Sequence, residues 1–302
     1  MSLPYRTYRQ YLKERFGMPV VKVPINGGFS CPHMQGASGG CFFCDNTVFS
    51  PVAQRVSTDV ARELHESCRR LARRHKKKTS FIAYLQPYTN TYAPQPVLEE
   101  LYEALLGVPD VVGLAVGTRP DAFTHELYAY LGTLAQRAYI SVELGLQSAH
   151  DTTLARINRG HTFDDFVNSV EALHAQGVEV VAHLMVGLPG ETREQVLDTA
   201  RRVGQLPVAG VKIHQLMIVR NTPFEKLYQA GEIAPVSLDE YGALLIEMMR
   251  VLPRSMVYHR IMADTPRHDN TLCAPLWSYD KHKSLAFLQD KISRNLNVPP
   301  GF

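Results

Sequence analysis

"GFSCPHMQGASGGCFFCDN", residues 28–46, places three cysteines, Cys31, Cys41 and Cys44, in a glycine-rich loop with an aromatic pair between the last two. Just upstream lies VVKVPI (20–25), a β-branched apolar run that reads as a strand. A loop rich in reactive groups directly after an apolar strand suggests a parallel β/α fold, where functional loops follow the C-terminal ends of the strands.

The rest of the chain repeats that arrangement. Strands are expected at 20–25, 79–85, 111–117, 138–144, 178–186 and 210–219, with helices at 57–75, 95–106, 121–135, 162–176 and 191–204. Ser57, Thr162 and Thr192 signal helix starts, and Gly177 a stop. Near-continuous apolar strands separated by helices imply a parallel sheet covered on its faces. Six such units predict a partial (βα)6 barrel, with a doubly wound sheet as the alternative. Each unusual polar cluster falls at a strand end: QPYTNTY after the second strand, GTRPD after the third, ELGLQS after the fourth, HLMVGLPGE after the fifth, and IHQL within the sixth. Core packing alone gives no reason for that sorting. Residues 1–220 are expected to form the barrel. Residues 221–302 are expected to be a mainly helical extension packed on it, with helices near 222–230, 237–251 and 280–295 around an irregular segment, HRIMADTPRHDN.

Composition is that of a soluble globular protein, with 302 residues of which 45% are hydrophobic and 20% charged. Apolar runs such as VVAHLMVGL (180–188) are too short to span a membrane. The N-terminal segment MSLPYRTYRQYLKERFG lacks the apolar stretch of a signal peptide, so a reducing, cytoplasmic setting is expected. The net charge of +3 hides a basic run, RRLARRHKKK (69–78), with seven Lys or Arg. It completes a helix whose C-terminal dipole favours cations, yet it exceeds what a dipole needs and points to a polyanion contact. The run leads into the second strand, so it is expected at the barrel end away from the cysteine loop, touching only a distant part of a large substrate.

Thiolates select zinc, Cu(I) or iron–sulfur clusters. One reading is a zinc site with His33 as fourth ligand. The other is a 4Fe–4S cluster held by Cys31, Cys41 and Cys44 with one iron left open, the nine-residue spacer wrapping it. Of the two remaining thiols, Cys68 lies on the apolar face of a helix and is expected to be a small core residue. Cys273, in NTLCAPLW, is a candidate substrate contact.

The cysteine loop, together with YTNTYAP, GTRPD, ELGLQS, INRGHT, HLMVGLPGE, KIHQLM and APLW, resembles the radical S-adenosylmethionine (SAM) superfamily, and within it a bacterial family with a widened C-x9-C-x2-C motif. The core is similar, more weakly, to the catalytic subunit of Elongator, which modifies wobble uridines of tRNA. The resemblance implies that Cys31, Cys41 and Cys44 ligate three irons while SAM occupies the fourth. It implies Phe43 near the adenine, with Met185 and Leu216 flanking it. Gln86 and Thr89 fall where the superfamily has a Gly-Gly-Glu stretch contacting the methionine amino group, although the glycines are absent here. Glu143 and Gln147 fall at ribose or methionyl contacts, Arg159 near the SAM carboxylate, and His183 at a ribose contact. It also implies a reductant such as flavodoxin or ferredoxin, and tRNA as substrate. A small metabolite or a protein is the other enzymatic reading, and a zinc-stabilised nucleic-acid-binding module without catalysis is the rival outside enzymes. Arg119, Asp121, His259, Arg260 and Asp264 are candidates either for holding an anionic substrate or for a salt-bridge network that docks the extension.

Overall fold

The computed structural model describes residues 3–35, 39–55, 57–74, 77–265 and 271–296. The chain opens with β1 (Arg6–Thr7) and α1 (Tyr8–Phe16), then β2 (Val20–Ile25). Two single-turn helices, α2 (Pro32–Gln35) and α3 (Asn46–Phe49), interrupt the cysteine loop. Next come α4 (Val60–Ala72), β3 (Ser80–Leu85), α5 (Gln95–Leu106), β4 (Val111–Thr118), α6 (His125–Ala135) and β5 (Tyr139–Gln147). They are followed by α7 (Asp151–Arg156), α8 (Phe163–Ala175), β6 (Glu179–Val186), α9 (Arg193–Gly204) and β7 (Gly210–Gln215). The remainder is β8 (Ile218–Val219), α10 (Pro223–Gln229), α11 (Leu238–Val251), β9 (Val257–Arg260), β10 (Leu272–Ala274), a 3-10 turn at Leu276–Tyr279, and α12 (Lys281–Asn295).

Eight strands form one parallel sheet in the order β1-β9-β7-β6-β5-β4-β3-β2. Consecutive strands β1 and β2 therefore lie at opposite edges. Laid flat, eight strands spaced about 4.8 Å apart put those edges roughly 34 Å from each other. The nine-residue α1 spans only about 13.5 Å at 1.5 Å per residue. The sheet must curl, and it does so as an open barrel whose seam α1 crosses. Leu12 of α1 is buried against Ile82, Ala115 and Tyr139 and fills one end of the interior.

Strand period two divides the side chains. On β5, Ile140, Val142, Leu144 and Leu146 pack outward into the helix layer with Phe166, Val170 and Leu173 of α8. Tyr139, Ser141, Glu143, Gly145 and Gln147 occupy the alternate positions, facing the barrel interior. Thr162 and Thr192 cap α8 and α9 with complete capping boxes, through Asp165 and Gln195. Helix α4 differs from expectation: Asp59 is its N-cap, accepting from the Arg62 amide, while Ser57 Oγ accepts from the Asp59 amide. Cys68 is a core residue of this helix.

The extension is less helical than expected. VYHR, which runs into the stretch read as irregular, is β9, and it pairs parallel with β7 and continues the sheet. A four-residue strand beside a strongly basic and polar segment carries too little periodicity to be seen locally. Pro266 to Asn270, the end of that segment, lie outside the described residues. The N-terminal β1 and α1 were likewise not anticipated, because α1 has no continuous apolar face: only Leu12 of it is buried.

Candidate active site

Loops from three strands meet around the cysteines. Thr89, in the turn after β3, donates its amide to the Ser30 carbonyl at 3.2 Å. From the connection that follows β5, in its part between α7 and α8, Asn158 Nδ2 donates to the Gly40 carbonyl at 2.7 Å, and the Ile157 carbonyl accepts from the Phe42 amide at 3.1 Å. His33 Nε2 lies 2.7 Å from the Asn158 carbonyl, so the fourth ligand of the zinc reading is engaged with the same connection. Gly160 has φ +70°, and a Cβ there would come within 2.5 Å of the His33 ring. That fixes glycine in the INRGHT turn by both backbone and contact.

Arg159 ties this turn to the thiols. Its Nη1 donates to Cys41 Sγ at 3.4 Å, while Nε and Nη2 donate to the Gly145 carbonyl at 3.2 and 2.6 Å. A Cβ at Gly145 would meet Arg159 Nη2 at 2.7 Å, so the ELGLQS glycine makes room for the guanidinium. Arg119 buttresses the same turn, donating to the Arg159 carbonyl at 2.9 Å and holding Asp121 with both arms. This pair docks that turn, not the extension. Of the other anionic-substrate candidates, Arg260 and Asp264 form an ion pair that Lys281 joins, and this group ties the extension together. His259 is stacked on the Tyr8 ring of α1.

The three thiols occupy one region without converging on a single ion position among the described residues. Burial pushes the Cys44 thiol up to about 12, with Cys41 adding to the rise and Arg159 opposing it. A bound cation would favour the thiolate that burial disfavours at Cys44. Two sulfurs also have donors directed at them, Arg159 on Cys41 and Asn46 Nδ2 on Cys44 at 3.6 Å. A soft, cationic, sulfur-ligated group suits this donor set. Phe43, Met185 and Leu216 belong to one apolar cluster with Leu154, Ile157 and Phe224 beside the loop. Gln147 has φ +79°, uncommon for a residue with a Cβ, and its buried Oε1 has no hydrogen-bond partner among the described residues. Strain and an unpaired acceptor in one side chain are characteristic of a ligand-contact position.

Glu143 is enclosed by charged side chains of the neighbouring strands. Its carboxylate, 1% exposed, accepts from Lys22 of β2 and Lys212 of β7, and from His183 Nε2 of β6 at 3.1 Å. The partner that a buried carboxylate requires is supplied by the chain itself. Burial pushes its pKa up, but Lys212 and then Lys22 outweigh that and hold it well below the usual carboxylate range. Lys212 is drawn down by burial to about 7 against the pull of Glu143. His183 is drawn down to about 4 by burial and by Lys212. Lys212 Nζ also donates to the Tyr84 hydroxyl at 3.0 Å, and both lysines sit over the Tyr84 ring. Lys22, Tyr84 and Lys212 were not singled out from the sequence. The available signal was a lone lysine at an inward position in each of two apolar strands, VVKVPI and GVKIHQ.

Cys273 lies in β10 with its Sγ 3.8 Å from Glu225 Oε1, packed against the same apolar cluster as Phe43, which also includes Phe224 and Ala274. Gln86 continues from β3, its amide donating to the Ile25 carbonyl at 3.4 Å.

A curled parallel sheet with a three-thiol loop after the first strand of its repeats defines a class of enzymes that start radical chemistry from a sulfur-bound iron cluster. The chain belongs to the radical SAM superfamily, whose profile matches residues 31–203, and the radical SAM C-terminal domain matches residues 208–294. It is an enzyme that uses a 4Fe–4S cluster and SAM. YtqA of Bacillus subtilis is 37% identical over 290 residues, covering 95% of this chain and 89% of that one. The tRNA uridine(34) acetyltransferase of Dehalococcoides mccartyi is 28% identical over 158 residues, which is 51% of this chain and 34% of that protein. The solved structure of Elp3 from the archaeon Methanocaldococcus infernus superposes with a TM-score of 0.64 at 17% identity, covering 90% of this chain and 63% of that one.

Proposed function

We propose that this radical SAM enzyme modifies tRNA at its wobble uridine. The observation that carries the reading is the partial likeness to a tRNA uridine(34) acetyltransferase over about half of the chain. The run 69–78 supports it: Arg69, Arg70, Arg73 and Arg74 are exposed on the last turns of α4 and beyond. In this reading Cys31, Cys41 and Cys44 ligate three irons. A cluster held there would supply, from flavodoxin, ferredoxin or a similar cytoplasmic donor, the electron for reductive cleavage of SAM.

The chain's own residues bind, orient and exclude water. Phe43, Met185 and Leu216 give the adenine an apolar seat. Gln86 and Thr89 face the methionine amino group, and Arg159 and Gln147 its carboxylate end. Glu143 and His183 present polar atoms toward the ribose, with Lys22 and Lys212 fixing the carboxylate. The test is a comparison of modified nucleosides in total tRNA from strains with and without the gene. Loss or build-up of a modified wobble uridine supports the reading. Unaltered nucleosides reassign the enzyme to a small-molecule or protein substrate.

A further inference from the structure

The open seam between the two sheet edges is a cleft of about 1270 Å³. One wall is the start of β2 with the residues that precede β3, the other is β9 and α12, and α1 runs between them. Its charge is one-sided. Lys22 and Arg260 reach it from the strands, and Lys281 from α12. Arg9 and Lys13 reach it from α1, and Lys77 and Lys78 from the end of the basic run. Asp264 is the one acidic residue among the described residues that line it, and Arg260 and Lys281 already engage it. Lys22 is engaged by Glu143. That leaves Arg9, Lys13, Lys77 and Lys78, all exposed and none in an ion pair with a described residue.

Four uncompensated cations in one cleft repel one another and favour a polyanion over a single small anion. The walls also carry aromatic rings: Tyr8 is stacked on His259 with centroids 3.8 Å apart, and Tyr5 meets Tyr258 edge-on at 5.3 Å. A cationic groove with ring surface along its walls suits a single-stranded nucleic acid, whose phosphates take the charges and whose bases stack. The position matters as much as the charge. Lys77 and Lys78 share the cleft with Lys22 and Arg260, so the end of the basic run reaches the seam. The two lysines directly precede β3, at the end of the strands away from the cysteine loop, where the sequence reading places the run.

We propose that the seam cleft binds the substrate RNA as a single strand or loop. Arg9, Lys13, Lys77 and Lys78 contact its phosphates, and Tyr5 offers stacking surface along the cleft. This rests on the reading that the substrate is RNA. The test uses the full chain with its cluster assembled and a fluorescently labelled tRNA anticodon stem–loop, with binding followed by anisotropy across a series of KCl concentrations. Changing Arg9, Lys13, Lys77 and Lys78 together to Gln is expected to weaken binding at least about tenfold and to flatten the salt slope by about 3. Iron content and substrate-free SAM cleavage stay at wild-type levels. Wild-type protein without salt-sensitive binding overturns the RNA reading and this proposal together. Salt-sensitive wild-type binding that the fourfold variant retains in full overturns the cleft alone and leaves the RNA reading standing. If the fourfold variant does not fold, the pair Lys77→Gln and Lys78→Gln is expected to flatten the slope by about 1.5. In that case, cross-linking of a thiouridine-substituted stem–loop to wild type decides: linked peptides from α1 or from the segment before β3 support the cleft, and links only elsewhere overturn it.

Discussion

At the rim of the barrel, the working residues sit in short motifs whose neighbours in sequence are also their neighbours in space. Cys41, Phe43 and Cys44 share one loop, and Arg159 lies two residues from the carbonyl that binds Phe42. In the interior, Glu143 is held by Lys22, 121 positions earlier, and by Lys212, 69 positions later. The rim gathers loops that punctuate the strands. The interior gathers single inward side chains from β2, β3, β5, β6 and β7, and makes a buried charge network of them. The two regions should therefore fail differently when altered: the rim by losing chemistry with the fold kept, the interior by losing stability along with its proposed ribose contacts.

The largest effect is expected at the rim. Replacing Cys31, Cys41 or Cys44 by Ala removes a thiolate that nothing nearby supplies, so iron content and SAM cleavage should collapse while the far-ultraviolet circular dichroism is kept. Cys68→Ala and Cys273→Ala should keep wild-type iron. A His33→Ala variant that lost metal as fully as Cys41→Ala would count against the cluster and for zinc.

Next comes the interior. Glu143→Leu leaves Lys22 and Lys212 buried without their carboxylate, and breaking a buried pair in this way costs about 3–5 kcal/mol. Chemical denaturation should show it, and adding Lys212→Met to the same chain should recover a good part. A loss below about 1 kcal/mol would mean that the lysines reach water unaided, and the contrast with the rim would go.

Acid should expose the interior as well. His183 titrates at about 4 in the fold against 6.5 for a free imidazole, so the unfolded chain takes up its proton first as the pH falls. Stability from this group is full above about 6.5 and disappears on the way down to about 4, a change of roughly 3 kcal/mol. Glu143, also depressed, adds loss in the same direction below its ordinary value. His183→Asn should flatten the stability profile between pH 6.5 and 4 in part, leaving the shares of His161, drawn down to about 4 by burial and by Arg159, and of His214 and His259, both held well below the ordinary value chiefly by burial. An unchanged profile in that variant would show that folding does not lower the pKa of this imidazole.

The smallest of these effects separates SAM binding from cluster assembly. Arg159→Ala should retain the brown cluster and lose SAM affinity by about 1.5–3 kcal/mol, the value of a charge-assisted hydrogen bond. Calorimetric titration of SAM into the loaded variant measures it, and unchanged affinity would remove Arg159 from the SAM site.

The barrel was legible because its strands are long apolar runs punctuated by capped helices, as Thr162 and Thr192 illustrate. The rim was legible because its residues come as motifs. Glu143 was picked out as a ribose or methionyl contact, but its partners in the chain were not, since Lys22 and Lys212 become neighbours only after the sheet curls. For the same reason, the seam cleft could not be read from the chain. It is created by β1 and β2 falling at opposite edges, and β1 has two residues.

The central claim is that the thiol loop carries a 4Fe–4S cluster that cleaves SAM. Anaerobically purified protein should be brown, contain about four irons and four sulfides per chain, and release 5′-deoxyadenosine from SAM when reduced with dithionite. Colourless protein holding one zinc, with no 5′-deoxyadenosine formed after reconstitution, would contradict it.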